Sequence, residues 1–483
     1  MAKQRIINDV KITGIADKGK GIARDADGKV IFVDQVAVGD VINLRVTKKK
    51  KDYLEGVKIA LQEASADRVK PFCEHYGACG GRQFQHVSYE AQLRYKQEVV
   101  ENAIRRIGRI EVAELLPILP AARTQYYRNK LEFAFSNKQW LTAEQFKAGV
   151  SFEKNVLGFH RQGAFDKIVD IQHCYLQADP SNAIRNFARQ KATEMGLTFW
   201  DAREQHGQMR HILIRVTTTG EIMLIVSFFE NHEDDIKKLL DSLLEAFPQI
   251  TTLYYCINPK VNDYVLDLDM ILYHGKGFIE EQLGEVNFRI GPKSFFQTNS
   301  HQAKVLYDVV ADFAQFQGHE NVYDLYTGLG SIAQYVAHKC RQVTGIEEIA
   351  AAIDDAWQNA ERNNINNCIF YAGDVKDILS PDFIKKHGKP DVVITDPPRA
   401  GMHKDVVETL LKLQAPRIVY VSCNPATQAR DMNLLAQKYD VLKVQPVDMF
   451  PNTHHIESVA LLELRKSGVP VISKIKNLFG ING

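Results

Sequence analysis

The chain has no apolar run long enough to cross a bilayer. Its longest nearly unbroken stretch, Ile222 to Phe229, is strand-sized, whereas a helical span needs about 20 residues. The first residues, Met1-Ala2-Lys3-Gln4-Arg5, lack the apolar centre of an export signal. Cysteine is scarce and odd in number, seven in 483 residues, which is not the density of a secreted disulfide scaffold. Internal repeats and low-complexity runs are absent. So are the Gly-x-x-x-x-Gly-Lys-Ser/Thr of a P-loop and the Gly-x-Gly-x-x-Gly of a dinucleotide fold, which disfavours nucleoside triphosphates and dinucleotides as ligands. With 45% hydrophobic and 25% charged residues, the composition is that of globular domains, roughly three at ~150 residues each. A cytoplasmic multi-domain protein is expected, with no membrane contact and no obligate protein partner.

The net charge of +1 conceals an asymmetry. Residues 1–130 hold 24 Lys and Arg against 16 Asp and Glu, and the rest of the chain holds 36 against 43. A basic front on a mildly acidic body suits a phosphate-facing module joined to a catalytic one. The run Lys48-Lys49-Lys50-Lys51, taken alone, reads as a solvated turn.

Residues 1–62 read as five short strands punctuated by Asp27-Gly28 and Gly39-Asp40, the pattern of a small OB-like barrel. The order Gly14-Ile15-Ala16-Asp17-Lys18-Gly19-Lys20-Gly21-Ile22-Ala23, then Val33-Asp34 and Gly39-Asp40, resembles the TRAM domain, which implies RNA binding. A cysteine-bearing loop follows, then helical spacing from Ser88 to Arg109. Residues 63–87 and 120–285 are expected to form a central α+β domain. Residues 88–119 are expected to pack on the catalytic domain. From 286 to 466 strands and helices alternate strictly, and 467–483 is a basic tail. The alternation builds a parallel sheet covered on both faces, and two last strands close it as a hairpin. The fold class is therefore multi-domain α/β: an N-terminal OB-like barrel, an α+β centre and a C-terminal Rossmann-like domain of the S-adenosylmethionine-dependent methyltransferase shape.

The loop Asp324-Leu325-Tyr326-Thr327-Gly328-Leu329-Gly330 leaves the first strand of that domain. Gly328 and Gly330 let backbone approach a ligand at the carboxyl edge of the sheet. Glu347 ends the second strand, where a carboxylate can take both ribose hydroxyls, and Asp374 follows the third, where it can meet an adenine amino group. Strand four ends in Asp396-Pro397-Pro398-Arg399-Ala400-Gly401 and strand five in Ser422-Cys423-Asn424-Pro425. A lone cysteine is commonly a small buried hydrophobe, but beside a cofactor loop and an acidic turn Cys423 is read as a nucleophile.

Five motifs then occur in order: Phe295-Phe296-Gln297-Thr298-Asn299, the Asp324 loop, the Asp396 turn, Val421-Ser422-Cys423-Asn424-Pro425 and His455-Ile456-Glu457-Ser458-Val459. With Tyr127-Arg128-Asn129-Lys130-Leu131-Glu132-Phe133 and Gly158-Phe159-His160 upstream, they resemble the RNA uracil-5-methyltransferases over nearly the whole chain, and among these the TRAM-containing 23S ribosomal RNA type. The resemblance implies S-adenosylmethionine as cofactor, held by Gln297, Tyr326, Gly328, Gly330, Glu347, Asp374 and Asp396. It implies Cys423 as the nucleophile on carbon 6 of uracil and Glu457 as the base at carbon 5, with Gln297 and Asp396 facing the uracil. Arg128 and Lys130 are candidates for phosphate contact or, equally, for structural ion pairs. Ribosomal RNA is the favoured substrate and transfer RNA the second; a non-catalytic RNA-binding or assembly factor is the alternative class. Amino-methylating enzymes of adenine tend to carry an aromatic after the two prolines, where this chain has Arg399. The RNA cytosine-5 enzymes carry a cysteine directly after that turn, and none stands here.

One departure from the family matters. Many members hold a four-iron–four-sulfur cluster on Cys-x5-Cys-x2-Cys and a distant fourth cysteine. Cys73 and Cys79 have that spacing and Cys174 fits the distant position, but Arg82 stands third. A guanidinium is cationic and has no available lone pair for iron. The expectation is a lost or labile cluster; a three-iron cluster, or recruitment of His75, His86 or His173, is the alternative.

Overall fold

A computed structural model describes residues 5–81, 83–161 and 163–465. Arg82 and the basic tail 467–483 lie outside the described residues. The chain divides into two compact units. One holds the residues up to Lys70, Gln83–Ala122 and the chain from Gln302 onward; the other holds Pro71–Arg82 and Arg123–His301.

The first unit begins with a six-stranded barrel: β1 (Ile6–Lys11), β2 (Gly14–Ile15), β3 (Gly21–Arg24), β4 (Val30–Val33), β5 (Val41–Lys49) and β6 (Tyr53–Glu63), in the order β1-β5-β6-β4-β3-β2. Alternation along β5 sends Ile42 and Leu44 inward and Asn43 and Arg45 outward, and the inward set joins Val10, Ile12, Ile31, Val33 and Leu54 in one core. Six strands stand where five are expected, because two-residue β2 pairs with β3. Lys48 and Lys49 belong to β5, so the turn of the lysine run is shorter than it reads. Residues 83–87 belong with this unit rather than with the centre, since Phe84 and Val87 pack with Ile15, Ala37 and Tyr95.

Helix α1 (Tyr89–Asn102) starts on a Ser88 cap whose hydroxyl accepts the Ala91 N–H at 3.4 Å. It passes into a π-helical stretch, Ala103–Gly108, and stops at Arg109 in the left-handed region. Strand β7 (Val112–Leu115) follows.

The second unit runs β8 (Lys130–Ser136), α2 (Ala143–Lys147), β9 (Val156–Arg161), β10 (Ala164–Asp170), α3 (Ser181–Glu194), β11 (Met209–Val216), β12 (Ile222–Phe228), α4 (Glu233–Ala246), β13 (Ile250–Ile257), β14 (Ile271–Gly275), β15 (Ile279–Leu283) and β16 (Val286–Ile290). Seven strands form one sheet, β10-β9-β8-β11-β12-β13-β14, and among the described residues β15 and β16 pair only with each other. Glu281 of β15 accepts the Thr218 N–H at 3.1 Å and the Ser300 hydroxyl at 2.5 Å. These bonds keep the chain in this unit as far as His301, beyond the change of pattern at 286.

The chain returns to the first unit along α5 (Ser300–Ala314). It then alternates β17 (Asn321–Leu325), α6 (Ser331–Val336), β18 (Gln342–Glu347), α7 (Ala350–Arg362), β19 (Cys368–Ala372), α8 (Val375–Ile378), α9 (Pro381–His387), β20 (Val392–Thr395), α10 (Lys404–Leu413), β21 (Arg417–Ser422), α11 (Pro425–Leu435), β22 (Tyr439–Val447) and β23 (Glu457–Leu464). The sheet order is β19-β18-β17-β20-β21-β23-β22-β7, with β23 antiparallel to both neighbours and β7 parallel to β22. Val100 and Ile104 join the core of this sheet, so the helix after the barrel packs on the alternating domain. Among the described residues no helix is long and apolar enough to cross a membrane.

Candidate active site

Strand order in the parallel sheet reverses between β17 and β20, and ligands of such sheets bind outside the carboxyl ends at that point. The loops after β17 and β20 are the Asp324 and Asp396 segments. In the first, Thr327 N–H donates to Ile346 O at 3.0 Å and Gly330 N–H to Thr327 O at 2.9 Å, which folds the loop back over β18. Tyr326, Gly328 and Gly330 all have positive φ: 65°, 59° and 77°. The two glycines differ in surroundings. A Cβ on Gly330 would stand 2.8 Å from Gln334 Nε2 and 2.9 Å from Phe370, whereas one on Gly328 would meet nothing within 4 Å. Gly330 is required by packing, while Gly328 fronts open space.

Glu347 closes that space from the end of β18. Its carboxylate accepts the Gly328 N–H at 3.1 Å and the Ile349 N–H at 3.0 Å. Tyr326 is half-buried, and burial, reinforced by Asp374, pushes its phenol up to about 12. Asp374 caps α8 by accepting the Lys376 N–H at 3.1 Å and pairs with the Lys376 ammonium at 2.8 Å. The Lys376 ammonium first, and then the Lys376 N–H, hold its carboxyl below the usual range. Beneath the loop, burial raises the carboxyl of Asp324 to about 7, although one oxygen accepts the Thr327 hydroxyl at 2.5 Å.

Cys423 lies at the end of β21, one residue before the Asn424 side chain caps α11 on Ala426 N–H at 3.1 Å. Asn424 Nδ2 also donates to Arg399 O at 2.9 Å, and the Thr427 hydroxyl donates to the same carbonyl at 3.2 Å. These bonds staple the Asp396 turn to the Cys423 turn. Burial raises the thiol of half-buried Cys423, and the charges of Glu457 and Asp396 add to this; Arg399 opposes it by hydrogen bond and charge. Arg399 is held in turn by donating to His455 Nδ1 at 2.6 Å, which requires that nitrogen to be unprotonated.

Glu457 opens β23. Ser458 pairs with Ser422 in the β21–β23 ladder, so register alone carries Glu457 to the Cys423 end of the sheet. Glu457 is only 6% exposed, and burial, then the charge of Asp396, raises its carboxyl well above the ordinary range, with Arg399 opposing. Asp396 itself is raised to about 7, by burial first and Asp324 second. Two carboxyls that resist ionisation, Glu457 and Asp396, thus act on one thiol, with one guanidinium opposing them.

A cavity of about 230 Å³ opens at this point. Barrel residues Ala16, Lys18 and Gly19, α1 residues Tyr95 and Lys96, and Arg399, Cys423, His454 and His455 share its lining. The geometry therefore gathers Tyr326, Gly328, Gly330, Glu347, Asp374, Asp396, Cys423 and Glu457 along one sheet edge. Gln297, Arg128 and Lys130 belong to the second unit. There Gln297 O accepts Asn129 Nδ2 at 2.8 Å, and burial lowers the Lys130 ammonium to about 8. The sequence reading missed the role of Arg399, which it used only as a non-aromatic residue. A cation directly after the two prolines, at a strand end facing a cysteine, was the available signal.

The loop with Cys73 and Cys79 also lies in the second unit. It packs on the Cys174 segment through Phe72 against Tyr175 (ring centroids 5.2 Å apart) and through His75 Nε2, which accepts the Gln172 N–H at 3.3 Å. Cys174 is buried and the other two are half-buried. Three thiols with an arginine in place of the motif's third cysteine do not fit a four-cysteine cluster, and no step runs through one.

Residues 272–465 match the family model described as tRNA (Uracil-5-)-methyltransferase, and residues 4–59 match the TRAM domain. An uncharacterized RNA methyltransferase of Bacteroides thetaiotaomicron is 52% identical over 93% of this chain and 100% of its own length; one of Porphyromonas gingivalis is 49% identical over 94% and 99%. The crystal structure of Pyrococcus abyssi tRNA (uracil-54, C5)-methyltransferase in complex with S-adenosyl-L-homocysteine is similar at 28% identity. It has a TM-score of 0.72 and covers 94% of this chain and 99% of that one.

Proposed function

Because the chain belongs to the family of RNA uracil-5-methyltransferases, we propose that it methylates carbon 5 of a specific uridine in structured RNA through a covalent adduct on Cys423, in the cytoplasm. S-adenosylmethionine is the methyl donor: the open space before Gly328 and the Glu347 carboxylate fit a nucleoside, and the bound sulfonium supplies an electrophilic methyl. Carbon 5 of uracil is a weak nucleophile, so the protein's task is to raise its electron density.

The Cys423 thiolate adds to carbon 6, and the carbon 5–carbon 6 π electrons move to an enolate that places density on carbon 5. Arg399 favours the thiolate over the thiol. Asp396, with a carboxyl raised to about 7, can donate a hydrogen bond to the polar edge of the base. Once carbon 5 carries the methyl, Glu457 takes its proton. The electrons of that C–H bond restore the double bond, the C–S bond breaks, and the sulfur leaves as thiolate. Burial raises the Glu457 carboxyl, which makes its ionised form a stronger proton acceptor. Carbon 5 is inaccessible in a stacked helix, so the uridine must be flipped, and the cavity between the barrel loop and Cys423 is the space for it.

The observation that carries this reading is the convergence of Cys423 and Arg399 on that one cavity, with Glu457 following Ile456 of its lining and acting by charge on the Cys423 thiol. An RNA bearing 5-fluorouridine at the target tests it: the fluorine cannot leave as a proton, so a denaturation-stable protein–RNA adduct is expected, and none with Cys423→Ala. An adduct that persists in Cys423→Ala overturns the assignment.

The large-subunit ribosomal RNA is the substrate favoured by the barrel together with the Cys73, Cys79 and Cys174 positions. Transfer RNA is the second reading, favoured by the Pyrococcus enzyme, whose likeness covers 94% of this chain. Mass mapping of 5-methyluridine in both RNAs, with and without the gene, separates them.

A further inference from the structure

The face of the second unit's sheet carries a group of side chains that the methylation chemistry leaves unused. Ala134 of β8 pairs with His211 of β11 on one side and Gly158 of β9 on the other. Successive residues of a strand alternate faces, so His160, two residues beyond Gly158, comes up on the same face as His211. Asp263, in the loop between β13 and β14, reaches back to both. Its carboxylate lies 3.5 Å from His211 Nε2 and 3.8 Å from His160 Nε2.

These separations are too long for hydrogen bonds, which run to about 3.2 Å for N–H to O. They are close to what metal ligation needs: donors at about 2.1 Å around a tetrahedral zinc stand about 3.4 Å from one another. One potential donor atom from each residue lies within 4.8 Å of the other two. His211 is buried, only 6% exposed, and its Nδ1 has no hydrogen-bond partner. Its Nε2, facing a carboxylate oxygen beyond hydrogen-bond reach, is placed to give its lone pair to an ion set between them.

The surroundings hold the carboxylate in place. Arg210 donates to Asp263 Oδ1 at 2.9 Å and is itself fixed by Lys260 O at 2.6 Å, Asn262 O at 3.2 Å and stacking 3.8 Å over Trp200. Ligating carboxylates are usually hydrogen-bonded in this way by an outer residue. A cavity of about 260 Å³ adjoins the group, with His211, Asp263, Glu132 and Lys130 in its lining, and leaves room for water or a further ligand.

We propose that His160, His211 and Asp263 form a site for one first-row divalent transition metal of the zinc class, which would tie the β13–β14 loop to strands β9 and β11. Two imidazoles and a carboxylate suit such an ion rather than magnesium or calcium, which take all-oxygen sets.

The test uses the full-length protein stripped with chelator and titrated with Co²⁺, whose spectrum reports both its donors and its stoichiometry. One equivalent is expected to bind with ligand-field bands and without thiolate charge-transfer absorption, and to be displaced by Zn²⁺. His160→Ala and Asp263→Asn, both at exposed positions, are expected to weaken binding at least about tenfold. Failure to bind one equivalent overturns the site. So does binding with thiolate absorption that His160→Ala leaves unchanged, which would place the ion on the cysteines instead.

Discussion

Lys96 and Asp448 form an ion pair at 2.5 Å with side chains 2% and 0% exposed, and it fastens α1 to the loop that precedes Glu457. Lys96→Met keeps the apolar stem and removes the charge, leaving Asp448 buried without its cation. Breaking a pair of this kind costs about 3–5 kcal/mol. Asp448 keeps the Tyr89 hydroxyl at 2.9 Å and the Phe450 N–H at 3.2 Å, so the lower end of that range is expected. At roughly 2–4 °C per kcal/mol for domains of a few hundred residues, the melting transition should fall by roughly 6–12 °C. Differential scanning calorimetry measures this. The double substitution Lys96→Met with Asp448→Asn removes the stranded charge and should recover at least about half of the loss. A single variant melting within about 1 °C of the native protein would refute the reasoning, since a buried charge cannot lose its partner at so little cost.

Three further outcomes are expected. Glu457 and Cys423 are raised, so the base and thiolate forms accumulate only as pH rises, while Asp396, raised to about 7, loses above that pH the proton it donates to the base edge. Single-turnover methylation should climb with pH on the acid side and level off or fall above about pH 7, and an acid side flat with pH would count against Glu457 as base. Gly330→Ala should lower stability by about 1–3 kcal/mol, whereas Gly328→Ala, with space around it, should chiefly weaken S-adenosylmethionine binding in calorimetric titration. Protein purified without oxygen should carry substoichiometric iron and sulfide; a full complement with visible absorbance would restore the cluster that Arg82 argues against.

The alternating domain was legible because parallel strands buried on both faces read as short apolar runs, such as Val392–Thr395 and Arg417–Ser422, each ending in a chemically distinctive turn. The Cys423 and Glu457 ends could be placed for the same reason. Strand β7 was not legible. Val112-Ala113-Glu114-Leu115 has no buried residue, and only pairing with β22, far along the chain, makes it a strand. Lys96 reads as a polar position on an amphipathic helix, and its burial depends on an acid 352 residues away. His160 and His211 sit on strands separated by a third, so no local spacing brings them together. What escaped the sequence is what arises from long-range pairing.

The parallel edge between β7 and β22 also bears on how the protein is made. Residues 112–115 leave the ribosome long before 441–444 exist, so this margin of the sheet stays open through most of translation, while the intervening 123–301 can already close on itself. A fragment beginning at Gln302 would carry that margin permanently uncovered and would tend to self-associate there.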